Sequence, residues 1–295
     1  MIQSIKSIFI AIRPKTLSVS IAPVLVGSSV ALRDGSFNTD IFLLTLIAAL
    51  FIQIGTNFTN DVYDFIKGAD NDNRIGPTRA VQAELISVQN MKKLIFFAFA
   101  LAIICGVPLV LKGGIPILFI GLLSIVSGYA YTAGPYPLGY NGWGEFFVFC
   151  FFGPIAVCGT FFLQTQMVSI ESIISGLILG CLSVTLLCIN NIRDVKTDRE
   201  AGKRTLAVRL GARFVKIMFI ILFLFSYLLT GYLAFGLGYL NIKLFFMLLI
   251  FTFPLFLKVS FDTFKLKSMK LNLVLARVSI FIITFSILFM LSILL

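Results

Sequence analysis

The stretch that decides the fold is LIFFAFALAIICGVPLVL at residues 94–111, followed by Lys-Gly-Gly at 112–114 and by IPILFIGLLSIVSGYAYT at 115–132. Neither long run contains a charged residue, and each is long enough to cross the hydrocarbon core of a bilayer as a helix. The Gly113-Gly114 pair between the two runs is typical of a turn. We therefore predict two successive membrane helices joined by a very short loop.

The rest of the chain has the same character. Of its 295 residues, 59% are hydrophobic and 13% are charged, whereas about a quarter of a soluble domain is charged. The apolar runs lack the strict alternation of a membrane β-barrel, so the predicted fold is an all-α polytopic membrane protein forming a single domain over residues 1–295. Nine membrane segments are predicted, near 17–33, 41–60, 94–111, 115–132, 146–164, 172–190, 214–234, 242–260 and 273–293.

The distribution of basic residues predicts the orientation of these segments. With the N-terminus in the cytoplasm, all but three of the 24 Lys and Arg residues fall on the cytoplasmic side, the exceptions being Arg33, Lys112 and Lys243. Cytoplasmic loops of membrane proteins are enriched in Lys and Arg. The net charge of +11 therefore has a membrane explanation, and nucleic acid is not an expected partner. The two long polar loops, after the second and sixth segments, lie on this same side.

Residue types that are missing exclude several kinds of chemistry. The chain contains no His, which excludes a Ser-His-Asp triad, a His-ligated zinc site and a bis-His haem. All five cysteines lie inside apolar runs, where we interpret them as packing residues. Acid, base and metal-binding roles must therefore fall mainly on carboxylates, Lys, Arg and Tyr.

The acidic residues that remain form two clusters. Six of the 13 lie at the ends of the second and sixth segments: Asp61, Asp64, Asp70 and Asp72 in the first cluster, and Asp194 and Asp198 in the second. In each cluster an Asn precedes the first Asp by four residues, so that these side chains share one helix face. This repeat predicts two four-helix halves plus one further helix, with one acidic motif in each half.

Two facing stripes of carboxylates suit Mg²⁺, which prefers hard oxygen ligands and is commonly held by one or two carboxylates together with substrate phosphates. We predict Asp61, Asp64, Asp194 and Asp198 as metal ligands and catalytic residues. Solvated loops or structural ion pairs would explain one such stripe, but two matched stripes favour a site. The predicted substrate-binding residues are Asn57, Asn60, Lys67, Arg74, Arg79, Tyr131, Asn190, Asn191, Arg193, Lys203 and Arg204.

These motifs resemble those of a known family. NDVYDFIKGAD at residues 60–70 is similar to the first aspartate motif of the UbiA-type membrane prenyltransferases, and NIRDVKTDREAGKRTL at 191–206 is similar to the second. A narrower resemblance, to the members that prenylate 1,4-dihydroxy-2-naphthoate in menaquinone synthesis, is carried by RPKT at 13–16, RIGPTR at 74–79 and the stretch 131–154.

The resemblance implies a nine-helix enzyme of the bacterial inner membrane with its active site on the cytoplasmic side. It further implies Mg²⁺-dependent transfer of a polyprenyl group from polyprenyl diphosphate to the naphthoate, with loss of CO₂ and diphosphate, to give demethylmenaquinone. Other acceptors, such as 4-hydroxybenzoate or a 6-carboxylate naphthoate, stay open, as do prenyl length and oligomeric state. An ion-coupled transporter is a more distant alternative, because transporter ion sites lie near mid-membrane whereas these stripes lie at helix ends.

Two further features have more than one interpretation. Five tyrosines lie near the cytoplasmic side, namely Tyr63, Tyr129, Tyr131, Tyr136 and Tyr140. An interfacial aromatic belt explains most of them, and Tyr131 is the best candidate for a functional role. Glu145 lies in a loop without basic residues, where it could act as a base or as a structural carboxylate, and the structural interpretation is preferred.

Overall fold

The computed structural model describes residues 2–71 and 74–295, so Asp72 of the first acidic cluster lies outside the described residues. Within these ranges the regular structure is helical, and no strand occurs. The principal helices are α1 (Ile2–Ile12), α2 (Pro14–Arg33), α3 (Thr39–Ile66), α4 (Val88–Ala130), α5 (Gly144–Phe151), α6 (Pro154–Thr165), α7 (Ile170–Glu200), α8 (Leu206–Leu210), α9 (Ala212–Gly231), α10 (Ile242–Lys265) and α11 (Leu271–Leu294).

Helix α4 is a hairpin of two membrane-spanning legs. Its 43 residues are about twice what one span requires. The helical backbone breaks at Gly114, whose φ of 66° and ψ of −154° are accessible essentially only to glycine. Lys92 near the start of α4 and Tyr129 near its end line one groove together with Tyr63, so the second leg returns to the side where the first began.

The number of membrane segments agrees with the sequence. Eight helical stretches of the described residues are long and apolar enough to cross a membrane, among them α5 and α6 taken together and α9 with its short π-helical extension at Tyr232–Gly236. Because α4 contributes two legs, these stretches provide nine spans over the described part of the chain. The prediction of an all-helical, multi-pass membrane protein is confirmed.

Helix α7 lies at the centre of the bundle and carries the second acidic motif at its end. Most of its apolar stretch is buried, and it packs against α2, α5, α6, α9 and α11. The break between α5 and α6 lies against α7 at very close range, because a Cβ atom on Gly153 would lie 2.5 Å from the Cα of Gly180. Glycines at this crossing let the two backbones touch, as is usual for close helix contacts in membranes.

Candidate active site

The first acidic motif forms where α3 ends. Gly68 has a positive φ of 73°, which stops the helix and turns the chain back. In this turn the backbone N–H groups of Ala69 and Asp70 donate to the carbonyl oxygen of Asp64, at 2.8 and 3.1 Å. The turn therefore places Asp70 beside the last helical turn of α3, where Asp64 lies.

Asp64 is the point at which the two motifs meet. Its Oδ1 accepts a hydrogen bond from Lys203 Nζ at 3.0 Å and another from the Tyr140 hydroxyl at 2.8 Å. Its Oδ2 lies 3.6 Å from a guanidinium nitrogen of Arg79. Lys203 follows α7 and also lies 3.7 Å from Asp198 Oδ1, so a single ammonium group joins the acidic ends of α3 and α7.

Asp70 belongs to the same cluster. Its carboxylate forms ion pairs with Arg74 and, at 3.0 Å, with Arg79. Burial, together with the neighbouring Asp64 carboxylate, raises the pKa of Asp70 to about 6 in spite of the Arg74 charge. Burial, with the Asp64 charge added to it, thus disfavours the charged form of Asp70, which is a setting that an additional cation would stabilise.

The polar groups around this cluster keep fixed protonation states. Burial alone would lower the pKa of Lys203, but the charges of Asp64 and Asp198 outweigh it and raise that pKa, so Lys203 stays charged. Burial and the adjacent Asp64 carboxylate raise the pKa of Tyr140, so its phenol remains a hydrogen-bond donor. The site therefore places a protonated phenol, as a hydrogen-bond donor, and a charged ammonium group next to buried carboxylates.

The other two predicted metal ligands have different partners. Both carboxylate oxygens of Asp61 accept backbone hydrogen bonds, from the N–H of Ala80 at 3.1 Å and of Val81 at 3.0 Å. Asp194 accepts two hydrogen bonds from one edge of the Arg193 guanidinium, from Nε at 2.7 Å and from Nη2 at 2.6 Å. The structure therefore brings Asp64 and Asp198 together through Lys203, whereas Asp61 anchors the loop that follows the first motif.

The predicted substrate-binding asparagines mostly hold neighbouring segments. Asn57 donates to the carbonyl oxygen of Ile12 at 2.8 Å and to the Thr16 hydroxyl at 3.0 Å, which ties α3 to the junction of α1 and α2. The remaining three have contacts of similar kinds: Asn60 accepts a bond from Thr132, Asn190 donates to Leu186 within its own helix, and Asn191 donates to Glu145.

The predicted basic residues divide between the cluster and its edges. Arg74, Arg79 and Lys203 contact the carboxylate cluster, as described above. Lys67 donates to the Thr132 carbonyl oxygen at 2.7 Å and lies 4.9 Å from the centre of the Tyr140 ring. The Arg204 side chain is exposed, and its backbone N–H donates to the carbonyl oxygen of Tyr140 at 2.6 Å.

A sequence profile matches nearly the whole chain on which this geometry is built. It describes the UbiA prenyltransferase family and covers residues 20–292. The chain belongs to the UbiA prenyltransferase family. As a member of that family, it is a multi-pass membrane prenyltransferase.

Individual members of the UbiA family show the same relationship. The chain is 39% identical to the 1,4-dihydroxy-2-naphthoate octaprenyltransferase of Escherichia coli over 207 residues, which cover 68% of this chain and 67% of that protein. It is 39% identical to the protein of the same name from Mycobacterium tuberculosis over 199 residues, 68% of each chain. A solved UbiA homologue from Archaeoglobus fulgidus, bound to GPP and Mg²⁺, has the same fold, with a TM-score of 0.67 at 17% identity over 98% of this chain and 99% of that one.

The residues of this UbiA-family site fit a magnesium ion only in company with a substrate. Within the described ranges, no three acidic, Cys or His side chains lie close enough together to hold a metal by themselves. Asp64, Asp70 and Asp198 nevertheless supply the hard oxygen donors that Mg²⁺ requires, and one or two carboxylates are sufficient when phosphate oxygens complete the shell.

Two members of the cluster were absent from the predicted site. Asp70 was recognisable, because it lies in the first acidic cluster and within the family-like run, six residues after Asp64. Tyr140 carried no signal of its own, since its contact with Asp64 depends on how the loop between α4 and α5 crosses the ends of α3 and α7.

Proposed function

We propose that this UbiA-family enzyme transfers a polyprenyl group from polyprenyl diphosphate to 1,4-dihydroxy-2-naphthoate, releasing CO₂ and diphosphate and giving demethylmenaquinol, the reduced form of demethylmenaquinone. The observation that carries the proposal is the convergence of Asp64, Asp198 and Lys203 from two separate helix ends. The names of the bacterial relatives support the naphthoate as the acceptor.

The acidic and the basic residues would have different roles in binding the diphosphate. Asp64, Asp70 and Asp198 would hold Mg²⁺, with Asp61 and Asp194 ordering the surrounding loop and helix end. Lys203, Arg79 and Arg74, which now contact those carboxylates, would turn to the oxygens of the leaving group. Bound Mg²⁺ would offset the charge that develops on the departing diphosphate.

The site's position suits an amphiphilic donor. The cluster lies at the ends of α3 and α7, so the charged diphosphate would remain at the membrane surface while the prenyl tail extends between apolar helices. The bias of Lys and Arg towards this face supports a cytoplasmic site and a cytoplasmic N-terminus. With bacterial relatives, the proposed location is the bacterial inner membrane.

The test is product analysis with several acceptors. Membranes that contain the protein would be incubated with a polyprenyl diphosphate and either the naphthoate, a 6-carboxylate naphthoate or 4-hydroxybenzoate, with Mg²⁺ or with a chelator. We expect a prenylated product only with the first acceptor and only with Mg²⁺, detected by mass as demethylmenaquinol or as demethylmenaquinone after oxidation in air. Product with another acceptor alone would overturn the naphthoate assignment, and equal product under chelation would overturn the metal requirement.

A further inference from the structure

Glu145 is a buried carboxylate, and one of its two oxygens has no hydrogen-bond partner among the described residues. It lies in the first turn of α5 and is 7% exposed. Its Oε1 accepts a hydrogen bond of 2.8 Å from the Asn191 side chain, whereas its Oε2 is fully buried and has no hydrogen-bond partner among the described residues. No basic side chain of residues 2–71 and 74–295 forms an ion pair with it.

Such an arrangement is costly for a purely structural group. Carboxylates within membrane-spanning segments are rare and usually mark a function, and buried polar atoms are nearly always hydrogen-bonded. If the only role of this side chain were to accept the hydrogen bond from Asn191, an uncharged amide with one oxygen would be sufficient. A hydrogen-bond donor on a bound ligand would therefore satisfy the second oxygen, Oε2.

Glu145 adjoins the active-site cluster. Asn191 belongs to the second acidic motif, three residues before Asp194 on α7. The Tyr131 hydroxyl lies against the start of α5, because a Cβ atom on Gly144 would be 2.8 Å from it. Burial raises the pKa of Tyr131, and the charges of Glu145, Asp64 and Asp198 add to that effect, so this phenol lies within electrostatic reach of all three carboxylates.

We propose that Glu145 is the catalytic base that accepts the proton of an acceptor hydroxyl group, an assignment that rests on the proposed function. Asn191 would hold Oε1 and leave Oε2 to bind the hydroxyl. The position is separate from the cluster that would bind the diphosphate, as a reaction between two substrates requires. An uncharged carboxamide at this place could orient the hydroxyl but could not take its proton.

The chemistry balances without a further reagent. The acceptor O–H bond breaks and its proton moves to Glu145, while the allylic C–O bond breaks and its electron pair leaves with the diphosphate. The ring carbon beside the oxygen, which bears the carboxylate, bonds to the allylic carbon, and the ring oxygen becomes a carbonyl. The C–CO₂ bond then breaks, its electrons restore the aromatic ring, and Glu145 returns the proton to the ring oxygen.

The test compares Glu145→Gln with Glu145→Asp and with Glu171→Gln, a matched control at the opposite end of α7. Full-length protein in lipid nanodiscs would be assayed with Mg²⁺, the naphthoate and a polyprenyl diphosphate. For E145Q we expect kcat to fall at least ~100-fold, as for loss of a positioned general base. The Kd for the prenyl diphosphate and the Tm should match those of the wild type, E145D should recover part of kcat, and E171Q should be normal.

A second readout separates base catalysis from a structural role. An acceptor whose ring hydroxyl is made more acidic by a halogen substituent needs the base less, so the gap in kcat between the wild type and E145Q should narrow. Retention of kcat within threefold in E145Q, or an unchanged gap with the acidic acceptor, would overturn the role of Glu145 alone. A wild type that gives no product with any aromatic acceptor would overturn the proposed function and the base assignment with it.

Discussion

At the first motif, two aspartates on neighbouring turns of α3 face different surroundings. Asp61 points to the N–H groups of Ala80 and Val81 in the loop, whereas Asp64 points to charged side chains of both motifs. Backbone N–H groups tie Asp61 to the fold of the loop, although each of its oxygens keeps a further acceptor site, whereas the partners of Asp64 are side chains. Substitution of Asp61 and substitution of Asp64 should therefore have different effects on the protein.

Replacement of Asp64 should remove catalysis and leave the fold intact. Asp64→Asn keeps the size of the side chain but loses the charge that faces Lys203 and Arg79. We expect Mg²⁺-dependent turnover to fall at least ~100-fold, comparable to the loss of a major electrostatic contact in a transition state. Steady-state kinetics would measure it, with Asp40→Asn at the exposed start of α3 as the matched control. Turnover within a few-fold of the wild type in D64N would contradict the placement of the diphosphate site here.

Replacement of Asp61 should first loosen the loop. Each hydrogen bond to a charged group contributes about 1.5–3 kcal/mol, and Asp61→Ala removes two of them while leaving two buried N–H groups without a partner. Hydrogen exchange followed by mass spectrometry should show faster exchange around Ala80 and Val81, and turnover should fall because Arg79 next to them is misplaced. The Asp64→Asn variant serves as the comparison and should keep these amides protected. Unchanged exchange in D61A would show that the loop is held by other contacts.

At the scale of elements, the α4 hairpin depends on one backbone conformation. A side chain at Gly114 would force its φ of 66° and ψ of −154° on a residue that rarely adopts them, at a cost of about 1–3 kcal/mol. Gly114→Ala should therefore lower the Tm of the protein in detergent micelles. Gly121→Ala, in the helical second leg with open space around its Cβ position, is the matched control and should be neutral or slightly stabilising. Equal Tm values for the two variants would mean that the turn tolerates Ala.

Helix α11 joins the two acidic motifs, although its sequence shows no motif. The Asn272 side chain accepts a hydrogen bond of 2.8 Å from Arg193 and donates one of 3.4 Å to the carbonyl oxygen of Ile75. Arg193 in turn holds Asp194, so the last helix fixes the end of α7 against the loop after α3. A contact between residues almost 200 positions apart depends on helix packing and leaves no periodic signal in the sequence.

For the whole molecule, hydropathy predicted the fold, and the two acidic motifs that the sequence predicts as one site come together in the structure. The membrane spans follow from apolar runs alone, since the bilayer requires them, and Gly113-Gly114 marked the hairpin. The sequence did not predict which groups the site residues contact. The spacing of Asp61 and Asp64 could not show that the first binds a returning loop, and no pattern indicated that Tyr140 would reach Asp64. Those contacts are set by tertiary packing, which the order of residues along one helix does not reveal.

The orientation of the whole bundle is open to a direct measurement with a matched pair of residues. Met167 lies before α7 and Met269 between α10 and α11, at opposite ends of the molecule, and they are 66% and 69% exposed. If the basic face is cytoplasmic, an impermeant maleimide added to intact cells should label Met167→Cys, and should label Met269→Cys only after permeabilisation. The unmodified protein is the control for background, because its five cysteines lie at least partly buried. The reverse pattern would put the acidic cluster outside, where the cellular supply of prenyl diphosphate could not reach it.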